Sequence, residues 1–150
     1  MAEREEVEGL ERIGRVMDMV KAHMAAALKA DGVRLQLMEV HVLRIVLTRE
    51  GCTQVDVIRE TRRDKAQIGK LVAALVDRGL LSKAPDPADG RRQRLALTAE
   101  GREVALKSMG HRSAIAHSLF SGMSKEELEL FLALLARLEG SIGEGTGQPR

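Results

Sequence analysis

The apolar residues of this chain recur at helical spacing along most of its length. A first long helix is predicted over about residues 4–29, because its apolar residues alternate in steps of four and three. That is the a/d pattern of a helix that packs against a partner helix. The seam consists of Ile13, Met17, Val20, Met24 and Ala27. The Asp-Gly pair at residues 31–32 then ends the helix.

A second helix and a short third helix are predicted over about residues 35–49 and 54–60. Gly51 ends the second helix, and Thr53 is the expected N-cap of the third. The core-facing side of the second helix carries Leu35, Met38, Val42, Ile45 and Val46.

The fourth helix carries the clearest amphipathic pattern in the chain. Asp64 is its expected N-cap, Gln67 stands where a capping-box partner belongs, and Gly79 closes it. Its buried stripe follows i, i+3, i+4, i+7 and i+8 spacing and is formed by Ile68, Leu71, Val72, Leu75 and Val76.

Two strands and a fifth helix are predicted next. The strands, at about residues 80–84 and 93–98, lie on either side of a turn rich in proline and glycine. The fifth helix is expected over about residues 99–121, weakened by Gly101 and Gly110.

A sixth helix and a tail complete the predicted elements. Ser124 and Glu127 form a capping box that opens a helix over about residues 125–141. The glycine-rich end, from Gly140 onward, predicts a flexible tail. The expected inward side of the last helix carries Leu128, Phe131, Leu135, Leu138 and Ile142.

Composition supports a helical core. Phe120 and Phe131 are the two aromatic residues among 150, and Trp and Tyr are absent. Aliphatic residues and methionine must therefore form the core, which suits helices and argues against an all-β fold. The chain is accordingly predicted to be mainly α, with one small β-wing.

The sequence predicts a cytoplasmic protein without enzymatic activity. Cys52 is the single cysteine, so no internal disulfide can form and a reducing compartment is the default. The N-terminus lacks a basic segment followed by an apolar run, and no stretch approaches 18 apolar residues, so neither a signal peptide nor a membrane span is expected. No nucleophile with a base, no paired carboxylates and no metal motif stand out, so neither catalysis nor a cofactor or metal is expected.

Positive charge is concentrated in the middle of the chain. Residues 62–94 hold nine lysines and arginines and four aspartates, a net charge of +5, whereas the remaining residues sum to −3. A basic centre between mildly acidic ends is typical of a DNA-binding lobe on a near-neutral scaffold.

The order of these elements, together with two motifs, resembles the MarR (multiple antibiotic resistance regulator) family of winged helix-turn-helix proteins. The motifs are residues 70–80, KLVAALVDRGL, and residues 86–91, DPADGR, followed by Leu97 and Thr98. The resemblance spans about residues 7–142. It implies a homodimer that grips a pseudo-palindromic operator in double-stranded DNA, and regulation by a small molecule, a metal or an oxidant.

The resemblance also implies a division of the chain and a function. Dimerisation helices are expected over residues 1–32 and 108–142, a winged helix-turn-helix DNA-binding domain over residues 33–107, and the flexible tail over residues 143–150. The expected function is that of a dimeric transcriptional regulator, a repressor, whose DNA binding is modulated by a small-molecule effector. Two alternatives stay open: a winged-helix protein-interaction module without DNA binding, and a metal- or redox-sensing regulator of the same fold.

The chain departs from the family pattern in three places. Thr61 and Arg63 replace apolar residues in the turn before the fourth helix, Gly69 replaces a threonine or serine, and Gly90 replaces the first of two wing arginines. These departures leave the fold in place but put any operator sequence borrowed from a relative in doubt.

The exposed face of the fourth helix is predicted to read DNA in the major groove. Helical spacing places Ala66, Lys70 and Ala73 opposite the buried stripe, with Gln67 and Gly69 beside them. The small residues let the helix approach the base edges, and Lys70 can reach guanine or a phosphate. Gln67 can either bond adenine or fold back on its own N-cap.

The wing is predicted to enter the neighbouring minor groove. Arg91 and Arg92 stand at its tip, where two guanidinium groups suit a narrow, electronegative groove. Asp89, two residues before Arg91, is expected to hold that guanidinium in a fixed direction. Phosphate contacts are expected from other cations of this lobe, namely Arg63, Lys65 and Arg94.

The resemblance also implies where an effector would bind. The metal-sensing alternative stays open because three histidines, His23, His41 and His111, lie on helices that converge in the family. His111 and His117, however, lie six residues apart and cannot share a helix face. Cys52 keeps a redox alternative open, with Arg49 as the neighbouring cation that would lower its pKa. The expected effector pocket is formed by Met19, His23, Met38 and His41.

Overall fold

The structure is a computed structural model that describes residues 1–143. Within that range the chain forms six helices and one antiparallel sheet of two strands, which confirms the predicted mainly α fold with a small β-wing. In chain order the elements are α1 (Ala2–Ala30), α2 (Leu37–Thr48), α3 (Gln54–Thr61), α4 (Lys65–Asp77), β1 (Leu81–Pro85), β2 (Gln93–Leu97), α5 (Ala99–Phe120) and α6 (Lys125–Gly143). The predicted tail falls mostly on residues 144–150, outside the described part, and α6 continues past Gly140 to Gly143.

Side-chain caps fix where α3 and α4 begin, as the sequence predicted. Thr53 Oγ1 accepts a hydrogen bond from Asp56 N at 3.2 Å, and the Asp56 carboxylate accepts one from Thr53 N at 2.9 Å. At the start of α4, the Asp64 carboxylate accepts a hydrogen bond from Gln67 N at 2.8 Å. Each cap satisfies a backbone N–H that has no partner inside its helix.

Two details of the helix starts differ from the prediction. α2 begins at Leu37 rather than at residue 35, because Gln36 caps it and the Glu39 carboxylate accepts a hydrogen bond from Gln36 N at 2.7 Å. Gln67 returns no bond to the Asp64 backbone, so α4 has an N-cap without a capping box.

α2, α3, α4 and the wing share one apolar core. The predicted stripe of α4 is confirmed, since Ile68, Val72 and Leu75 are fully buried while Leu71 and Val76 pack at the margin. The stripe lies in one cluster with buried residues of α2, α3 and both strands, among them Val42, Leu43, Val57, Leu81 and Leu95.

The C-terminal half of α1 packs on α2 in a second, smaller cluster. Met24, Leu28 and Val40 are buried there. At the other end of the predicted α1 seam, Ile13 and Met17 are 44% and 47% exposed. The a/d pattern therefore spans two environments, one packed within this chain and one open to solvent in the protomer.

The wing pairs β1 with β2 in antiparallel register, from Leu81 opposite Leu97 to Pro85 opposite Gln93. Each strand lies within one residue of its predicted bounds. The loop after α2 joins the outer edge of β2, because Leu95 N donates a hydrogen bond to the Cys52 carbonyl oxygen at 2.7 Å. This third partner ties the wing to the end of α2.

α5 begins in close contact with the residue that precedes β1. The Thr98 hydroxyl accepts a hydrogen bond from Gly101 N at 3.1 Å and donates one to the Gly79 carbonyl oxygen at 2.7 Å. A Cβ atom at Gly101 would lie 1.9 Å from the Leu80 carbonyl oxygen. Gly101 therefore permits this approach, a role that the sequence did not indicate, whereas a Cβ at Gly110 would meet no described atom within 4 Å.

A second compact unit begins at Ala116. Its helix α6 opens with the predicted capping box, in which Ser124 N donates to Glu127 at 2.8 Å and Glu127 N donates to Ser124 at 3.1 Å. Phe120 and Phe131 contact each other with ring centroids 5.6 Å apart. No residue of α6 is buried in the protomer, so the side predicted to face inward is only partly covered.

Candidate nucleic-acid interface

The outward side of α4 carries small and polar side chains. These residues are exposed and lie opposite the buried stripe of the same helix. A single α-helix fits the major groove of B-DNA, which is about 12 Å wide, and small side chains allow its backbone to approach the base edges. We call this surface the reading face, formed by Ala66, Gln67, Lys70 and Ala73.

On the reading face, the side chains of Gln67 and Lys70 have no polar partner in the part of the chain that the structure describes. The Gln67 backbone N–H is engaged by Asp64, but its side-chain amide makes no hydrogen bond to any residue from 1 to 143. The folded-back alternative for Gln67 is thus not the one adopted here. The ammonium of Lys70 is also exposed and forms no ion pair in the described chain.

Gly69 lies beside the reading face, toward α3. It is partly buried, and a Cβ atom built there would lie 3.6 Å from Gln54 Nε2. That is an ordinary van der Waals distance, so an alanine would fit. Packing against Gln54 therefore does not account for the glycine at this position.

Arg63 and Lys65 flank the N-cap of α4. Both are exposed, and neither forms an ion pair with another described residue. The amino end of a helix carries partial positive charge, which adds to these two cations. The start of α4 therefore presents an electropositive edge next to the reading face.

The wing tip is a compact turn that exposes two arginines. Asp86 N donates to the Arg92 carbonyl oxygen at 2.9 Å, and Arg92 N donates to the Asp89 carbonyl oxygen at 2.9 Å. The guanidinium of Arg91 is exposed and forms no hydrogen bond or ion pair within the part of the chain described. The tip thus presents one free guanidinium and, at Arg92, a second one that is loosely held.

Asp89 shapes this turn in a different way from the one predicted. Its carboxylate accepts a hydrogen bond from the Arg91 backbone N–H at 3.0 Å rather than holding the Arg91 guanidinium. Its other oxygen lies 3.8 Å from Arg92 Nε. An aspartate readily bonds the backbone N–H two residues ahead, because the short side chain reaches it without ordering a long arginine side chain.

Arg94 stands farther back on β2 than the wing tip. Its side chain is exposed, and its guanidinium covers Gly51, whose Cβ position would lie 3.1 Å from Arg94 Nη2. The backbone of Gly51 has a φ of 66°, where glycine is favoured. Arg94 is thus exposed on β2 and covers the loop after α2.

The residues of the predicted effector pocket lie in different settings. Met19 is 61% exposed, and His23 Nδ1 is 2.8 Å from the Met19 carbonyl oxygen within α1. Met38 and His41 are partly buried on α2. None of the four belongs to the apolar cluster that joins α1 to α2.

His41 belongs instead to a cationic cluster between α2 and α5. Arg44 Nη2 donates a hydrogen bond to His41 Nδ1 at 2.6 Å, and Arg44 Nη1 donates to the buried Ser108 hydroxyl at 3.4 Å. Burial, and next the charge of Arg112, lower the pKa of Arg44 to about 10. Burial also lowers the pKa of His41, helped by both arginines and opposed by Glu60.

This cluster was missed by the sequence reasoning. Arg44 stands inside an apolar run, VHVLRIVL at residues 40–47, and that interruption was the available signal. Its guanidinium has no carboxylate partner among the described residues, although half-buried cations in proteins are usually paired. The cluster therefore has an unmet preference for an anion.

The residues behind the sensing alternatives have other partners. Cys52 is 1% exposed, and burial, followed by Asp56, raises the pKa of its thiol to about 11 despite an opposing effect of Arg49. A reactive thiolate needs the opposite shift. His111 Nε2 lies 2.6 Å from Asp31 Oδ2, and among residues 1–143 no three metal-ligating side chains come together. No helix in that range is long and apolar enough to cross a membrane.

Comparison with known sequences identifies relatives for the central part of this chain. A model of the MarR family matches residues 35–92, from just before α2 to the wing tip. The transcriptional regulator HosA of Escherichia coli O111:H- is 31% identical over 97 residues, which make up 65% of this chain and 72% of HosA.

Solved structures extend the similarity to most of the chain. CouR from Rhodococcus jostii RHA1, crystallised with p-coumaroyl-CoA, is 28% identical with a TM-score of 0.72, covering 84% of this chain and 87% of CouR. The S. aureus MepR–DNA complex gives a TM-score of 0.74 at 21% identity, covering 87% of this chain and 94% of MepR. At that lower identity the likeness concerns the fold alone.

Proposed function

This chain belongs to the MarR family of transcriptional regulators, and from that premise we propose that it is a homodimeric, sequence-specific DNA-binding repressor in the cytoplasm whose DNA affinity a small-molecule effector modulates. Residues 33–107 form the DNA-binding domain in this proposal. Residues 1–32 and 108–142 form the dimerisation helices.

The observation that carries the proposal is that two separate surfaces of one lobe end in polar side chains that have no partner among residues 1–143. On the reading face these are Gln67 and Lys70, and on the wing tip the clearest case is Arg91. Amide and ammonium groups bond base edges in the major groove, while guanidinium groups favour a narrow minor groove. One duplex offers both grooves side by side, which supports DNA as the partner of both surfaces.

Dimerisation is supported by apolar surface that the protomer leaves open. Leu10 on α1 is 69% exposed, and Leu130 on α6 is 61% exposed. Exposed apolar patches on helices often mark a protein interface. A second copy of the chain would cover them, and in a dimer two reading helices about one duplex turn apart match a pseudo-palindromic operator.

Modulation by an effector is supported by the Arg44 cluster. A half-buried guanidinium without a carboxylate, beside His41 and Arg112, would be stabilised by an anionic group. The cluster joins Arg44 on α2, in the proposed DNA-binding domain, to Ser108 on α5, where the proposed dimerisation helices begin. A ligand there would contact both parts and shift their arrangement, provided that it binds one arrangement better.

The proposal is tested by fluorescence anisotropy with a duplex from upstream of this protein's own gene. We expect salt-dependent binding that exceeds binding to a scrambled duplex by about 10³-fold or more. Arg91→Ala should lower the affinity and reduce the slope of log affinity against log salt by about 0.9 per arginine, or about 1.8 for a dimer. Arg34→Gln is the matched control, because Arg34 is exposed on the loop between α1 and α2 and its side chain is unpaired in the described chain.

Two results would contradict the proposal. Absence of binding to any duplex would favour the protein-interaction module. An Arg91→Ala variant with the affinity and salt slope of the wild type would remove the wing from the DNA contact.

A further inference from the structure

The turn that connects α3 to α4 is short and fixed at both ends. At the end of α3 the Thr61 hydroxyl donates a hydrogen bond to the Val57 carbonyl oxygen at 2.8 Å. At the start of α4 Asp64 is held as the N-cap by Gln67 N. Two residues, Arg62 and Arg63, therefore have to reverse the chain between the helices. A left-handed residue at the end of the first helix is the common solution.

Arg62 takes this left-handed conformation, with φ 54° and ψ 28°. Within residues 1–143 it is the only residue other than glycine with a positive φ. The Cβ atom of an L-residue crowds the following carbonyl in this region, whereas glycine avoids that cost. Glycine stands at the other left-handed turns of the described chain, at Gly32, Gly51 and Gly79.

No polar contact between the Arg62 side chain and another described residue compensates for this backbone. The side chain is exposed and forms no hydrogen bond or ion pair with any other described residue. The two nearest carboxylates in sequence have other partners: Asp64 is the N-cap of α4, and Glu60 lies 3.4 Å from Arg49. Residues held in strained conformations without a local benefit concentrate at binding surfaces, where the side chain has an external partner.

We propose that Arg62 contacts a DNA phosphate and anchors the turn between α3 and α4 on the backbone beside the groove that the reading face enters. Arg62 is a positioning residue in this assignment. Its guanidinium fixes how deeply α4 enters the groove and where α4 lies along the DNA, so that Gln67 and Lys70 meet the base edges. The assignment rests on the proposed DNA binding. It explains why a cationic side chain occupies a backbone position that suits glycine.

The test compares three substitutions at Arg62 in the full chain. Arg62→Gly removes both the charge and the backbone strain, and Arg62→Asn removes the charge with a residue that tolerates the left-handed region. Arg62→Lys keeps both the charge and the strain. Each variant is measured by thermal unfolding at one protein concentration and by anisotropy with the upstream duplex over a range of salt. Arg34→Gln again controls for the loss of an exposed positive charge elsewhere.

The expected result has opposite signs for stability and for binding. Arg62→Gly and Arg62→Asn should unfold at a temperature about 2 °C higher than the wild type and bind DNA more weakly, with a salt slope shallower by about 1.8 for a dimer. The ratio of wild-type to variant DNA affinity should then shrink roughly twelvefold between 50 and 200 mM salt. Arg62→Lys should keep the melting temperature, most of the affinity and the slope.

Three results would overturn the assignment. The first is unchanged DNA affinity in Arg62→Gly and Arg62→Asn. The second is an equal loss of affinity in Arg62→Lys or Arg34→Gln, which would show that the loss does not come from a specific phosphate contact of Arg62. The third is a lower melting temperature in Arg62→Gly and Arg62→Asn, which would show that the left-handed backbone at Arg62 does not cost stability. If the wild type itself binds no duplex, the proposed function fails first, and the Arg62 assignment falls with it.

Discussion

Replacing Gly101 with alanine is expected to destabilise the fold by about 2 kcal/mol. The added Cβ atom would lie 1.9 Å from the Leu80 carbonyl oxygen, well below the 3.4 Å at which ordinary contact begins. α5 and the start of the wing must then move apart, and such overpacking costs about 1–3 kcal/mol. The movement also weakens the hydrogen bond from Thr98 N to the Leu80 oxygen, 3.2 Å long, which contributes about 1 kcal/mol. The better helix propensity of alanine returns about 0.5–1 kcal/mol.

The assay is thermal or urea unfolding of Gly101→Ala beside Gly110→Ala, a substitution in the same helix where a Cβ meets no described atom within 4 Å. Protein concentration is held constant, because the melting temperature of a chain that dimerises as proposed depends on it. We expect Gly101→Ala to melt about 4–8 °C below the wild type and Gly110→Ala to melt at or above it. A Gly101→Ala variant as stable as the wild type would refute the close approach between α5 and Leu80.

The remaining predictions concern a helix cap, a histidine and the reading face. Asp64→Ala should lower the free energy of unfolding by about 1 kcal/mol, because Gln67 N loses its partner; an unchanged urea midpoint would argue against this cap. Because the folded chain lowers the pKa of His41 below its unfolded value of 6.5, it binds fewer protons there than the unfolded chain. The wild type should therefore lose stability from pH 7 to pH 5, and His41→Gln should lose less; parallel pH profiles would contradict this. Lys70→Ala should change the preference among operators with single base-pair substitutions by about 1–3 kcal/mol, whereas a uniform loss would make Lys70 a backbone anchor.

Local patterns in the sequence were sufficient to predict most element bounds. The cap at Asp64 and the capping box at Ser124 depend on residues three positions apart, and the stripe of α4 depends on helical spacing alone. The start of α2 was misplaced because Gln36 is an uncommon N-cap, although Glu39 stands at the partner position.

Contacts between distant residues could not be predicted in this way. The approach of Gly101 to Leu80, the bond between Arg44 and Ser108, and the packing of Gln54 against Gly69 each join different elements. Their existence depends on how the elements pack, which spacing within one element does not encode. The same limit applied to Asp89, where the choice between the Arg91 backbone and its guanidinium depends on the shape of the turn.

In the proposed complex, two copies of this chain hold their reading helices about one duplex turn apart on one face of DNA. The most direct measurement inserts five base pairs between the half-sites of a footprinted operator and compares affinities. The insertion rotates one half-site by about half a turn relative to the other. We predict that binding falls toward the non-specific level and recovers in part when ten base pairs are inserted. Equal affinity for all three spacings would contradict the account, because each chain would then be reading DNA by itself.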